Sequence, residues 1–260
     1  MGKSTLIILA YGVAAAAATV VGGLLVSARR LAESTLRYLI ALGAGFMLAT
    51  VFLKIVPESL SQWPADALTP MLWLLGGYML IHLVEHTVAP HFHFGEETHE
   101  EAMLAQHAAL AGLGALMVHA FFDGVSIAVA SLINVQLGIL VFVAIMLHKL
   151  PEGFTVASMM QAAGRSGRRS VGAALLIGVT TTAGVVLVIL AQNVAMYSRP
   201  ISAFVLPLSA GVTLYVAASD LIPEINARDR RAMISLMVFA GVALLYLIEL
   251  ILDALPFARA

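Results

Sequence analysis

The sequence predicts an all-α membrane protein in which eight transmembrane helices form a single domain over residues 1–260. Composition, the spacing of apolar stretches and the positions of arginine support this prediction. Of the 260 residues, 61% are hydrophobic and only 11% are charged, whereas a soluble domain carries roughly 25% charged residues. Lipid must therefore surround most of the chain. Cysteine is absent, which excludes disulfides and thiolate metal ligands.

Eight apolar stretches are long enough to cross a bilayer, because a spanning helix needs about 20 mostly apolar residues. We number these stretches spans 1 to 8; they cover residues 5–27, 37–57, 69–89, 108–132, 137–161, 169–191, 200–222 and 233–255. Backbone groups in lipid must bond within their own segment, so each span is predicted to be a helix. The long connection, residues 90–107, is rich in His and Glu.

The positions of lysine and arginine predict the orientation, since these residues accumulate in short cytoplasmic loops. With both termini outside, nine of them fall on the cytoplasmic side: Arg29, Arg30, Arg37, Arg165, Arg168, Arg169, Arg228, Arg230 and Arg231. Three fall outside: Lys3, Arg199 and Arg259. This asymmetry favours a multi-pass protein of the cell (inner) membrane with extracytoplasmic termini. It also places residues 90–107 in the cytoplasm.

Two segments of the chain repeat one another. Residues 44–58 read AGFMLATVFLKIVPE, and residues 210–224 read AGVTLYVAASDLIPE. In the predicted orientation, Pro57 and Glu58 end span 2 at the outer face, while Pro223 and Glu224 end span 7 at the inner face. Similar segments at opposite faces predict an inverted repeat of spans 1–3 and 6–8 around spans 4 and 5. Such repeats are typical of transporters.

Spans 4 and 5 each carry a His-x-x-x-carboxylate-Gly motif near mid-span. In span 4 the motif is His119, Asp123 and Gly124, and in span 5 it is His148, Glu152 and Gly153. Residues four apart share one face of a helix. Facing each other, the two helices would offer two imidazoles and two carboxylates, which is a tetrahedral ligand set for a divalent ion of the zinc type.

Ionised groups at the centre of a span are costly, at about 2.5–3.5 kcal/mol each on insertion scales. Their default interpretation is functional. The alternative is that Asp123–His148 and Lys149–Glu152 hydrogen bonds merely hold the helices together. Lys149 itself has three interpretations: it balances the charge of the carboxylates, it occupies the place of a second metal ion, or it extends to the membrane surface. We favour charge balance. Pro151 is expected to kink span 5.

These residues resemble the ZIP (Zrt/Irt-like) family of divalent metal transporters, in its prokaryotic type. The resemblance rests on the two His motifs, the latter within His148-Lys149-x-Pro151-Glu152-Gly153, and on segments 45–58 and 211–224; it extends over nearly the whole chain. It implies eight spans, outer termini, an inverted repeat and a metal site between spans 4 and 5. It also implies transport of zinc, or in some members iron, manganese or cadmium, into the cytoplasm.

Three positions depart from the family pattern. Many members have Asn where this chain has Ala120, a carboxylate or amide where it has Lys149, and Glu in span 6 about where it has Thr181. The resemblance implies that the replaced side chains are ligands of a second metal ion. We therefore predict a mononuclear site formed by His119, Asp123, His148 and Glu152.

Together with Lys149 and Thr181, other polar side chains form a predicted accessory pathway for the metal. A His- and Glu-rich tract at the end of span 3 and in the following loop contains His82, Glu85, His86, His91, His93 and His99, and His-rich tracts are typical of metal binding. Asp220 and Glu224 are predicted to line an exit, and Glu58 an entrance. The alternatives are helix capping, side chains that extend to the interface and an ordinary acidic loop.

Two other functions compete with transport. One is a membrane protein that binds or senses metal without transporting it. The other is an intramembrane zinc protease, which would need a motif such as His-Glu-x-x-His; the nearest pair, His82 and His86, lacks this Glu. The expected partners are lipid and divalent metal ions, with no nucleic acid and no separate cofactor. Small residues at Gly172, Ala173 and Ala174 are compatible with close packing within one chain or in a homodimer.

Overall fold

The computed structural model describes residues 3–28, 33–88, 106–196, 199–223, 225 and 232–254. The described chain is nearly all helical. Its α-helices are α1 (Lys3–Ser27), α2 (Glu33–Thr50), α3 (Val56–Ser61), α4 (Leu68–Val88), α5 (Gln106–Ile133), α6 (Val135–Ala162), α7 (Gly167–Ala191), α8 (Ser202–Tyr215) and α9 (Ala232–Ala254). Two π-helical segments, Val51–Ile55 and Val216–Leu221, join α2 to α3 and extend α8.

Eight helical segments of the described chain are long and apolar enough to cross a membrane, which confirms the predicted spans. Span 2 comprises α2, a π segment and α3, and span 7 comprises α8 and the other π segment. Spans 1, 3, 4, 5, 6 and 8 are the single helices α1, α4, α5, α6, α7 and α9. The helix of span 5 continues through Pro151.

Span 2 does not end at Pro57 as predicted, but continues to Ser61. Proline lacks the amide hydrogen that an α-helix uses. Immediately before it, the amide of Val56 donates to the carbonyl of Val51, five residues back. In span 7 the amide of Ile222 donates to the carbonyl of Ala217, again just before a proline. A local π turn, a rare feature that often lies at functional sites, therefore precedes each proline.

A short antiparallel bridge, which the sequence did not predict, joins spans 6 and 7. Strand β1 (Ala195–Met196) pairs with β2 (Arg199–Pro200), and Ala195 lies opposite Pro200. The bridge turns the chain back tightly, so span 7 begins beside the end of span 6.

The spans pack in pairs whose backbones approach closely at glycine, as small residues allow in membranes. Span 1 packs on span 5, span 4 on span 6, span 2 on span 8, and span 3 on span 7. In each pair, a methyl group added to either glycine would overlap a carbonyl oxygen of the other helix; the glycines are Gly22 with Gly153, Gly124 with Gly184, Gly45 with Gly241, and Gly77 with Gly211. The inverted repeat remains a prediction. It relates spans 1, 2 and 3 to spans 6, 7 and 8, and span 4 to span 5. It therefore requires that the pairing of spans 1 and 5 recur between spans 6 and 4, and that the pairing of spans 2 and 8 recur between spans 7 and 3.

The outer surface of the bundle is apolar, with large exposed side chains such as Leu190 and Phe239. Soluble proteins rarely expose such a large apolar surface to water, so we expect lipid to cover it. A partly exposed charged pair also lies among the described helices. Lys54 of span 2 contacts Glu249 of span 8, and the partnership offsets the cost of placing both charges within a membrane.

Candidate metal centre

The centre of the bundle is formed by spans 4 and 5, which pack against each other. His119 and Asp123 lie one turn apart on span 4, and His148 and Glu152 lie one turn apart on span 5. Their residues are 5%, 1%, 3% and 7% exposed, respectively. Both motifs therefore present their polar side chains to the interior of the protein rather than to lipid.

The two histidines meet at one carboxylate oxygen. The Nε2 atom of His119 lies 3.2 Å from Oδ2 of Asp123, and the Nε2 atom of His148 lies 3.3 Å from the same oxygen. Ligand atoms of these three residues all lie within 4.8 Å of one another. Two nitrogens and one oxygen at this spacing can converge on a divalent ion with modest side-chain movement.

The fourth predicted ligand, Glu152, borders this group. Its Oε1 atom lies 3.9 Å from Nε2 of His119, and its Oε2 atom accepts a hydrogen bond of 2.6 Å from Lys149. Glu152 therefore shares the buried cavity of the other three ligands but is engaged by an ammonium group.

Lys149 is completely buried and does not extend to the membrane surface. Its Nζ atom lies 2.8 Å from Oδ2 of Asp123 and 2.6 Å from Oε2 of Glu152. One positive charge thus contacts both carboxylates of the centre. This geometry suits charge balance, and it also places the ammonium where a second cation would otherwise contact both acids.

Three buried atoms at the centre have no hydrogen-bond partner in the described protein: Nδ1 of His119, Oδ1 of Asp123 and Oε1 of Glu152. Unsatisfied buried polar atoms are uncommon and each costs about 1–3 kcal/mol. Their concentration on three of the four predicted ligands indicates that these side chains are arranged for something other than mutual hydrogen bonding.

One imidazole is oriented by its own helix. Nδ1 of His148 lies 3.1 Å from the carbonyl oxygen of Ala144. A hydrogen bond to this carbonyl places a proton on Nδ1, whereas Nε2 faces Oδ2 of Asp123 at 3.3 Å and is the nitrogen directed at the centre. Such an orienting bond is typical of metal-binding histidines.

The glycines that follow the two carboxylates fix the positions of these helices. Gly124 faces the carbonyl oxygen of Thr181 in span 6, and Gly153 faces that of Thr19 in span 1. The hydroxyl of Thr181 donates to the carbonyl of Ile177, at 3.2 Å, and the residue is fully buried. The structure therefore places Thr181 against the helix of Asp123 with its hydroxyl occupied by its own helix.

A second polar cluster lies between spans 3 and 7 and brings together several predicted accessory residues. Glu85 and Asp220 are buried, and a hydrogen bond joins their carboxyl groups. Glu85 also bonds Tyr215, whose ring lies 6.0 Å from that of His82. The rings of His82 and His86 are 4.0 Å apart, measured between centroids.

Three residues in or beside this cluster were not anticipated from the sequence: Tyr215, Tyr78 and Ser219. Tyr215 is buried against both acids, and the hydroxyl of Tyr78 lies 2.8 Å from that of Ser219. The spacing of Tyr215 five residues before Asp220 carries no recognisable helical signal, because a regular α-helix would not align these side chains. The π segment at Val216–Leu221 alters this alignment.

The remaining predicted accessory residues are dispersed or undescribed. Glu58 is half-buried at the end of span 2, where Oε1 accepts a hydrogen bond of 3.4 Å from Gln62. Four predicted residues lie outside the described ranges: His91, His93, His99 and Glu224.

Comparison with known proteins identifies a family and several relatives. The family model described as ZIP Zinc transporter matches residues 95–249, more than half of the chain. Zinc transporter ZIP9-B of Xenopus laevis is 26% identical over 278 aligned residues, which cover 90% of this chain and 90% of the relative. Zinc transporter ZIP9 of Micropogonias undulatus is 31% identical over 158 residues, 59% of this chain and 50% of the relative. Zinc transporter ZIP10 of Danio rerio is 30% identical over 112 residues, 43% of this chain and 13% of the relative.

The matched region includes both His motifs, the buried ligand cluster and the second repeat segment. The similarity to the Xenopus relative extends over most of both chains, and eight helices are suited to cross a membrane. Because motifs, architecture and family model agree, the chain belongs to the ZIP zinc transporter family, whose members are transporters rather than enzymes.

Proposed function

We propose that this protein carries divalent transition-metal ions, zinc foremost, across the membrane into the cytoplasm. The observation that supports this proposal most is the buried group of His119, Asp123 and His148, whose ligand atoms lie within 4.8 Å of one another. Glu152 completes the proposed ligand set. Imidazole and carboxylate together suit zinc, and they also accept iron, manganese and cadmium to differing degrees.

Charge supports a reversible site rather than a permanent one. Two carboxylates offset one divalent ion, but Lys149 already contacts both of them. An arriving ion must therefore compete with an ammonium group, which weakens binding and favours release. A transported ion needs such a site, since binding that is too strong would stop transport.

We propose that one ion binds at this centre. Lys149 adds a positive charge beside both acids, and like charges at short range repel strongly in a medium of low polarity. Ala120 offers no ligand atom, and the hydroxyl of Thr181 is bonded to its own helix. These contacts favour a mononuclear site.

For the whole protein, we propose one transporter domain in the cell (inner) membrane with both termini outside. The arginine asymmetry supports this orientation. In this orientation, the proposed direction of transport leads the metal toward cytoplasmic loops rich in Arg, His and Glu. A homodimer is a further proposal; it rests on small residues such as Gly172, which has open space around it.

Zinc flux into proteoliposomes tests the proposed function. We expect the unmodified protein to transport zinc and Glu152→Gln or His148→Ala to reduce the rate by at least about 100-fold, because loss of one ligand commonly costs several kcal/mol of binding. The matched control is Asp253→Asn, an exposed carboxylate that pairs with Gln136, and it should keep the full rate.

The same assay separates transport from metal sensing. A protein that binds zinc at His148 but shows no flux in well-sealed vesicles would be a sensor or binding protein. Full flux in both Glu152→Gln and His148→Ala would instead show that another route carries the ion. Size-exclusion profiles and melting temperatures of the variants confirm that each is folded.

A further inference from the structure

A cavity of about 650 Å³ lies at the end of the bundle where spans 2, 4 and 6 terminate and span 7 begins. This end faces the predicted outer side of the membrane. The walls are formed mainly by apolar side chains of spans 4, 6 and 7. The polar residues of the lining all lie within a turn of a helix end: Glu58, Gln62, Gln192 and Ser202. The cavity therefore has an apolar body and a polar mouth.

The cavity is separate from the metal centre. On span 4 its lining residues recur every three or four positions and so form one stripe of the helix: Phe121, Phe122, Val125, Val129, Leu132 and Ile133. At 3.6 residues per turn, the centre of this stripe is turned by about 100° from His119 and by about 140° from Asp123. None of the four proposed metal ligands lines the cavity. What it binds must therefore be inferred from its own walls.

The length of the cavity matches one leaflet of a bilayer. Along span 4 the cavity runs from Ile133, the last residue of the helix, to Phe121. This distance is about 18 Å at about 1.5 Å per residue. Half of a hydrocarbon core about 30 Å thick is about 15 Å. The cavity is thus about as deep as one layer of acyl chains is thick.

The body of the cavity is suited to hydrocarbon rather than to water. Leu187 of span 6 lines it and is 52% exposed, so the cavity reaches the apolar outside of the bundle. Away from the mouth, every described residue of the lining has an apolar side chain. A buried water molecule needs about two to four polar partners. An acyl chain that enters from the bilayer needs none.

The mouth determines which lipid the cavity prefers. An acyl chain gains little by leaving the bilayer, because lipid is as apolar as the cavity walls, so selectivity must come from the headgroup. Among the described residues that line the cavity, Glu58 alone is charged. Its side chain is half-buried, and its Oε1 atom accepts a hydrogen bond of 3.4 Å from Gln62. A primary ammonium donates hydrogen bonds to a carboxylate, whereas a choline group has no N–H to donate.

We propose that this cavity binds one acyl chain of a phosphatidylethanolamine-type phospholipid from the adjoining leaflet, and that the ammonium of its headgroup contacts Glu58. The chain lies between spans 4, 6 and 7. The site requires no metal ion, so it stands apart from the proposed function. A second apolar groove, between spans 1 and 6, has no charged residue among those described in its lining. This groove should accept phospholipids without preference for a headgroup.

Photolabelling in metal-free vesicles tests this site. Phosphatidylethanolamine and phosphatidylcholine probes carry the same photoreactive acyl chain, and mass spectrometry locates the labelled peptides. We expect the ethanolamine probe to label the cavity segments of spans 4 and 7 about fivefold more than the choline probe, the upper range for a partly exposed ion pair. Excess unlabelled phosphatidylethanolamine should suppress this labelling. Absence of label in the cavity, or equal labelling of it by both probes, would refute the proposal.

Two variants separate the headgroup from the chain. Glu58→Gln should lower labelling by the ethanolamine probe to the level of the choline probe, and Glu58→Asp should keep the preference. Val205→Trp fills the cavity and should remove its labelling by both probes, whereas Val186→Trp, in the groove between spans 1 and 6, should leave it unchanged. A preference that persists in Glu58→Gln would overturn the role of Glu58. Melting temperatures confirm that the variants are folded; if Val205→Trp is not, suppression by the unlabelled lipid in the unmodified protein decides whether the site exists.

Discussion

Lys149 contacts both carboxylates of the proposed metal centre, and we expect it to limit how strongly they hold a metal ion. Its ammonium lies within 3 Å of oxygens from both Asp123 and Glu152, and the residue is completely buried. A buried charge is stable only with partners, and removal of one member of such a group commonly costs about 3–5 kcal/mol. We therefore expect Lys149 to stabilise the two acids and to compete with an ion that binds at the proposed centre.

Replacing Lys149 by methionine should separate these two effects. The variant Lys149→Met keeps a side chain of similar length but leaves two buried acids without their cation. In metal-free buffer we expect a lower melting temperature than for the unmodified protein. With zinc we expect binding that is about tenfold tighter, equivalent to about 1.4 kcal/mol, because the competing charge is gone. Calorimetry and zinc-dependent melting measure both changes.

The matched control is Lys54→Met, which removes a lysine from another span. Lys54 pairs with Glu249 rather than with the central acids. This control should reduce stability without altering zinc affinity. If Lys149→Met binds zinc no better than the control does, the ammonium does not compete with the ion, and its role is limited to packing.

At the scale of single elements, glycines set how closely the metal-bearing helices approach their neighbours. Gly124 lies directly after Asp123, and a methyl group there would overlap the carbonyl oxygen of Thr181. Gly114, on the same helix, has nothing within 4 Å of an added methyl group. The two positions share a helix and differ only in what they face.

We therefore expect opposite results from Gly124→Ala and Gly114→Ala. The first should force spans 4 and 6 apart, cost about 1–3 kcal/mol as overpacking does, and weaken zinc binding because Asp123 moves. The second should be neutral or stabilising by up to about 1 kcal/mol, since alanine favours a helix interior. Melting temperatures and zinc titrations of both variants test this, and equal melting temperatures would contradict the proposed close contact.

The elements also show where prediction from the sequence succeeds and where it fails. Spans follow from apolar length, because a helix that crosses lipid must bond internally and cannot carry many charges. The π segments before Pro57 and Pro223 could not be predicted from the sequence, because the extra residue in a π turn has no characteristic amino-acid pattern. Their effect is concrete: span 2 continues past Pro57 to Ser61.

The pairing of each histidine with the carboxylate one turn later could be expected from the sequence, because residues four apart lie on one helix face. The structure brings His119, Asp123 and His148 together. The contacts of Lys149 with both acids were not predictable in detail, since three directions were open to its long side chain. Contacts between distant spans, such as Glu85 with Asp220, depend on helix pairing, which a single sequence specifies only weakly.

For the whole molecule, the pairing of spans divides the metal-bearing helices from the rest. Spans 1, 4, 5 and 6 pack around the two His motifs, and spans 2 and 8 and spans 3 and 7 form two further close pairs. Contact with lipid favours apolar side chains on the outside of the bundle. Close contacts at glycine and buried polar groups determine how the helices pack inside it. The face toward which each end of the two His-bearing helices points therefore depends on the orientation of the entire bundle.

Orientation can be tested with two serines, since the chain lacks cysteine. Ser61 is exposed at the end of span 2, and Ser166 is exposed before span 6. An excess of arginine marks the cytoplasmic side, and Arg165 and Arg168 flank Ser166. In sealed right-side-out vesicles, an impermeant maleimide should label Ser61→Cys at once and Ser166→Cys only after permeabilisation. The reverse pattern would invert the bundle and place both termini in the cytoplasm.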